Sequence, residues 1–254
     1  MTAVQVRHRL TDDIDRAEYE RLIALLPAAE RERAGKFVVE QDRVAFVAAH
    51  ALLRETLSLY AGVAPGAWEF DINAFGKPAL AGALAPPGLR FNLAHTRGLV
   101  ACATGIGVDV GIDVERLGHG VNPLEIAARN FSPDEFRALQ TCRGDEQPAR
   151  FTELWTLKEA YIKAVGEGLS HPLDTFGFAF AGPSAILATL PAGQDETAWH
   201  FALWAPSAQH RMAVAVRTSP GIGTTIELPA AGRPCILARL SSGVSLSVLE
   251  GLDD

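Results

Sequence analysis

Gly107-Val108-Asp109-Val110-Gly111-Ile112-Asp113-Val114-Glu115 alternates without a break. Val108, Val110, Ile112 and Val114 fall on one face of an extended chain, and Asp109, Gly111, Asp113 and Glu115 on the other. The pattern predicts a strand with one apolar face to bury and with Asp113 and Glu115 aimed the same way. Two carboxylates so placed offer oxygen ligands to a hard cation such as Mg²⁺. The plainer alternative is a half-buried strand with a solvated acidic face. Asp109 shares that face but lies about 13 Å from Asp113 along the strand, too far to meet the same cation.

Downstream, 44 residues past Glu115, stands Glu159 in the run Phe151 to Val165, which predicts a helix over 152–165 stopped by Gly166 and Gly168. Glu159 and Lys163 are one turn apart and share a face with Trp155. The pair reads either as a carboxylate ligand beside a phosphate-binding lysine or as a surface ion pair. Ser132-Pro133-Asp134-Glu135 is a helix opening, with Ser at the cap and Glu three residues after it. Upstream, 89–93 and 99–115 read as strands around a loop at His95-Thr96-Arg97-Gly98, where His95 is a candidate phosphate contact. Gly76-Lys77-Pro78 is a turn. The spacing of Val44, Val47, Ala48, Ala51 and Leu52 predicts a helix over 42–60, and 15–34 reads as a helix that Pro27 must break. Further strands are expected near Val4–His8, 176–180, 199–204, 212–216 and 244–248, which makes the class α+β.

The 254 residues are 48% apolar and 21% charged, with no apolar run long enough for a membrane span and a start that lacks the apolar core of a secretion signal. Three cysteines without C-x-x-C spacing predict neither a disulfide framework nor a structural zinc site. The expectation is a cytoplasmic protein with no membrane partner. The net charge of −7 is uneven, because residues 1–100 carry 12 basic and 12 acidic side chains and residues 101–254 carry 11 and 18. An acidic surface disfavours nucleic acid as a partner. It suits a split site, phosphates on the first half and a cation on the second.

The order and wording of these segments resemble the surfactin-type 4′-phosphopantetheinyl transferases. The matching words are Glu30 to Phe37, Ala51-Leu52-Leu53-Arg54, Gly76-Lys77-Pro78, Phe91-Asn92-Leu93-Ala94-His95, Gly111-Ile112-Asp113-Val114-Glu115, Phe131-Ser132 and Trp155-Thr156-Leu157-Lys158-Glu159-Ala160 on to Leu169. They span about residues 15–217. The resemblance implies two similar α/β subdomains in a pseudo-twofold monomer, residues 1–105 and 106–219, with a C-terminal extension at 220–254 that it leaves without a role. It implies transfer of the 4′-phosphopantetheine arm of coenzyme A, the co-substrate, to a serine of an apo acyl or peptidyl carrier protein, releasing adenosine 3′,5′-bisphosphate.

By position, Asp113, Glu115 and Glu159 would hold Mg²⁺ (or Mn²⁺), and Glu159 and Lys163 would be the catalytic base and the diphosphate clamp. Arg33, Gly76, Lys77, Pro78, Asn92, Ala94 and His95 would line the coenzyme with Lys163. Ala94 stands where the family usually has Ser, so any contact there must come from backbone. Two rival readings are a Mg²⁺-dependent phosphoesterase built on the same acids, and a non-catalytic module that binds coenzyme A or carrier protein.

Overall fold

The computed structural model describes residues 1–72, 78–118, 122–166, 172–229 and 236–249. The chain opens with β1 (Thr2–Leu10), α1 (Arg16–Ala24), α2 (Ala28–Ala34) and α3 (Glu40–Ala61), then a hairpin of β2 (Glu69–Ile72) and β3 (Pro78–Ala81). Next come β4 (Leu89–Thr96), β5 (Leu99–Ile106) and β6 (Asp109–Arg116). The helices α4 (Pro123–Asn130), α5 (Pro133–Thr141) and α6 (Glu146–Val165) follow. The remaining strands are β7 (Gly177–Ala181), β8 (Ala185–Thr189), β9 (Trp199–Ala205), β10 (His210–Arg217), β11 (Thr224–Pro229), β12 (Ile236–Leu240) and β13 (Val244–Leu249).

One sheet runs β13-β11-β1-β5-β4 and a second β6-β10-β9-β12-β8-β7. Their inner faces meet. Val4, Val6, Ala94, Leu99 and Ala101 from the first sheet pack on Val108, Val110, Ile112, Val114, Trp204, Met212 and Val214 beside and in the second. The apolar stripe of 108–114 therefore becomes half of the central core. On the outer face of the first sheet lie α1 and α3, with Leu22, Val47, Leu52 and Leu57 over Phe91, Val100 and Cys102. On the outer face of the second lies α6, with Leu154, Leu157 and Tyr161 over Phe178, Phe201, Ala213 and Ala215. Each half is thus a helix laid on a sheet, and burial of both sheet faces drives the two halves together.

Local chemistry explains the element ends. Pro27 does break the 15–34 helix: α1 stops at Ala24 and α2 begins at Ala28. Ser132 and Glu135 form the expected capping box, each side chain taking the other's backbone N–H. Gly166 ends α6 in the left-handed conformation at φ 83°. Three expectations are corrected. The run 99–115 is two strands, because Gly107 turns the chain at φ 69° between β5 and β6. His95 lies on β4 itself, not in a loop, because Leu89–Thr96 pairs with β5 up to Thr96↔Leu99. The 152–165 helix starts six residues earlier, at Glu146, since Pro148 sits in the first turn, where a missing N–H costs little.

Candidate active site at the seam of the two sheets

The site is assembled where β6, the edge strand of the second sheet, lies between β4 and α6. Asp113 and Glu115 project from β6 on the face that α6 covers. Glu159 and Lys163 project from α6, one turn apart. The helix sits close because residue 111 is glycine: a Cβ there would overlap the Ala160 carbonyl oxygen and the Ala164 nitrogen. On the other side, Asn92 of β4 accepts the Ile112 N–H on its Oδ1 at 2.8 Å, a buried bond between the two halves.

Lys163 Nζ donates to Asp113 Oδ1 at 2.6 Å. Asp113 is buried, and its second oxygen, Oδ2, has no hydrogen-bond partner among the described residues. Burial pushes the Asp113 carboxyl above the usual range, against the pull of Lys163. Glu115 is raised to about 7, first by burial and then by the carboxylates of Asp113 and Glu159, with Lys163 and a hydrogen bond from Trp155 opposing. Burial, and then Asp113, also raise Glu159. All three acids resist ionisation because they are buried, and the Asp113 charge adds to this at Glu115 and Glu159, so a divalent cation would relieve the strain.

As the side chains are placed, no three His, Cys, Asp or Glu residues among those described are gathered tightly enough to share a metal ion. The donor chemistry nevertheless fits one. The three acids supply only hard oxygen ligands, and Asp113 Oδ2 is a buried acceptor left over once Lys163 has taken Oδ1.

The other residues singled out in the sequence are distributed around this centre. The protein packed around His95 and the Lys163 ammonium hold its imidazole below the usual histidine range. Arg33 is exposed on α2, with its guanidinium 5.3 Å from the Phe46 ring, and Phe46 lies 4.1 Å from the His50 ring on the same flank as His95. Ala94 is buried in the central core, so only its backbone is available. Pro78 lines a cleft of about 320 Å³ at the seam, together with Phe91, Asp109, Val110 and Val165. Gly76 and Lys77 lie outside the described residues. Asp109 is turned away to Arg217, whose Nε donates to Oδ2 at 2.8 Å.

Sequence reasoning passed over Lys158. It is wholly buried, pairs with Glu135 at 2.8 Å, and donates to the carbonyls of Leu173 and Phe176 at 2.7 and 2.6 Å. The signal was the Lys next to Glu159, which a helix turns about 100° from that glutamate. Its buried partner, Glu135, could be seen only once the fold was known.

Acids and a lysine set on a strand and a helix at the seam of two α/β halves would suit phosphate-ester chemistry were a divalent cation bound there. Comparison with known proteins agrees. A family model described as the 4′-phosphopantetheinyl transferase superfamily matches residues 109–215, and one described as 4′-phosphopantetheinyl transferase, N-terminal, matches 14–106. The chain is 36% identical over 162 residues to the 4′-phosphopantetheinyl transferase HetI of Nostoc sp., covering 64% of this chain and 68% of that one. It is 32% identical over 178 residues to a 4′-phosphopantetheinyl transferase of Bacillus subtilis, covering 70% and 77%. It is also 30% identical over 244 residues to a phosphopantetheinyl transferase of Thraustochytrium sp., covering 91% and 82%. The chain belongs to the 4′-phosphopantetheinyl transferase superfamily.

Proposed function

We propose that this enzyme transfers the phosphopantetheine arm of coenzyme A to a serine hydroxyl of an apo carrier protein, using Asp113, Glu115 and Glu159 to hold Mg²⁺ and Lys163 to meet the diphosphate. The observation that supports the reading is the buried Asp113 carboxylate, with one oxygen on Lys163 and the other without a partner among the described residues, beside a Glu115 that the charges of Asp113 and Glu159 help to raise. A bound magnesium ion would neutralise phosphate charge, the main requirement of phosphoryl-type transfer. The chain's own residues supply the rest. Lys163 shares its ammonium between Asp113 and the diphosphate. Glu159, ionised when the site is charged, accepts the serine proton as the new O–P bond forms and the P–O bond to the adenosine bisphosphate breaks. His95, held low by burial and Lys163, is a neutral hydrogen-bond donor to the nucleotide part until a phosphate arrives to raise it.

Arg33 on its flank and Lys77 belong to the same coenzyme contact in this reading, with Gly76, Pro78 and the Ala94 backbone along its path. Both walls of the seam come from one chain, so the reading needs only a monomer. No helix among the described residues is long and apolar enough to cross a membrane. In this reading the enzyme works in the cytoplasm, alongside its coenzyme.

Intact mass spectrometry of an apo carrier protein, incubated with enzyme, coenzyme A and Mg²⁺, tests this directly. A gain of one phosphopantetheine arm is the expected result. Bound coenzyme without any gain would make the chain a binding module, and coenzyme breakdown with an unmodified carrier would make it a phosphoesterase.

A further inference from the structure

Three elements carry the site: β4 with His95, β6 with Asp113 and Glu115, and α6 with Glu159 and Lys163. They come from different parts of the chain, and β4 belongs to a different sheet from β6. The strand ladders of the two sheets do not join β4 to β6. Besides the shared core and the Lys163–Asp113 bond, two close contacts meet β6 at adjacent residues. β6 is an edge strand, and the N–H of Ile112 faces away from its ladder partner β10 and is taken by Asn92 Oδ1 at 2.8 Å in a buried bond. One residue earlier, Gly111 presents only hydrogen to α6. A Cβ there would collide with the Ala160 carbonyl oxygen and the Ala164 nitrogen and stand 3.0 Å from the Ala164 Cα. These are backbone atoms, so no side-chain rotation relieves the overlap, and the helix would have to lift away. Ala160 follows Glu159 and Ala164 follows Lys163, so the two points of contact are the residues beside the two working side chains.

We infer that Asn92 and Gly111 are positioning residues, which register β4 and α6 on the Gly111–Ile112 peptide and so set the distances among His95, Asp113, Glu159 and Lys163. Asn92 thereby acts through β6, its side-chain oxygen being committed to a peptide N–H. The inference rests on the transferase reading for its kinetic consequence and on the fold alone for its structural one.

The test therefore has two readouts. Amide hydrogen exchange in the full-length enzyme without coenzyme reports the Ile112 N–H; Asn92→Ala accelerates it at least about tenfold, and Asn92→Asp, which keeps an acceptor in place, restores most of the protection. Single turnover onto carrier protein at saturating coenzyme A and Mg²⁺, normalised to folded enzyme by circular dichroism, falls on the order of 10²-fold in Asn92→Ala and in Gly111→Ala, as expected for an ångström-scale misplacement. Unchanged exchange at Ile112 in Asn92→Ala, or full turnover by folded Asn92→Ala, overturns the inference. Should wild-type enzyme fail to modify the carrier while Asn92→Ala still exposes Ile112, the transferase reading falls and the registration of the three elements stands. If Gly111→Ala does not fold, Asn92→Ala alone decides.

Discussion

Asp113 and Asp109 show what a residue's neighbours do to its chemistry. Both sit on the same face of one strand, in almost the same local wording. Asp109 is half-exposed and committed to Arg217, while Asp113 is buried against α6 with one oxygen on Lys163 and the other unpartnered. Asp113→Asn removes the ionisable acceptor at the centre and abolishes transfer, whereas Asp109→Asn leaves turnover nearly unchanged; parallel rate assays on the two variants check this, and equal losses would refute the site. Lys163→Ala strips the cation from Asp113 and, in the proposed reading, from the diphosphate, so it raises KM for coenzyme A and lowers kcat together. Lys163→Arg keeps the charge with a different shape and recovers part of the loss. Were the lysine only a surface partner, its removal would cost about 0.5 kcal/mol of stability and leave the kinetics alone. Steady-state rates at varied coenzyme A separate the two. That Asp113 and Glu115 share a strand face and Glu159 and Lys163 a helix face was legible, because strand alternation and helical spacing aim side chains predictably; the buried brace Lys158–Glu135 was not, since its members meet only through packing.

Among the elements, α2 and α3 are tied by one buried cation. Arg54 of α3, only 2% exposed, donates to both oxygens of Glu30 on α2 and to the carbonyls of Pro65 and Trp68. Glu30→Gln leaves that guanidinium without its counter-charge and costs about 3 kcal/mol in urea unfolding at neutral pH. Burial pushes the Glu30 carboxyl up, but hydrogen bonds from His50 and Arg54 outweigh it and hold the group at about 2, below the usual glutamate value of 4.5. A depressed carboxylate stabilises the fold above its unfolded value and loses that contribution as pH falls toward the folded one. The gap between wild type and Glu30→Gln is therefore full above about pH 5 and narrows as pH falls from 4.5 toward 2; a gap that stays constant with pH would contradict the ion pair. Helix existence here was readable from Pro27 and from apolar spacing, whereas the early start of α6 at Glu146 was not, because a helix's first turn needs no amide hydrogen at Pro148.

For the whole molecule, the segment after Arg217 proves to be fabric of both sheets. β11 pairs in parallel with β1, β13 pairs with β11, and β12 enters the second sheet between β9 and β8. Ile226 and Leu228 are buried in the central core. Leu228→Ala costs about 2–5 kcal/mol by the usual cavity penalty, and a chain ended at Ser219 uncovers the edge of β1 and loses cooperative unfolding; calorimetry of both variants checks the expectation, and a wild-type melt of the shortened chain would show that the segment only decorates the fold. The sequence by itself determined which faces are apolar, that Pro27 and Gly166 end helical runs, and which acids and lysine can share a side, because side-chain direction follows from a period of two or of 3.6. Only the tertiary structure decided that β12 belongs to the second sheet while β11 and β13 belong to the first, that the acidic face of β6 is buried, and that Asn92 and Gly111 hold β4 and α6 to it. Strand partners and backbone approach are set by packing between segments far apart in the chain, and local periodicity carries no record of them.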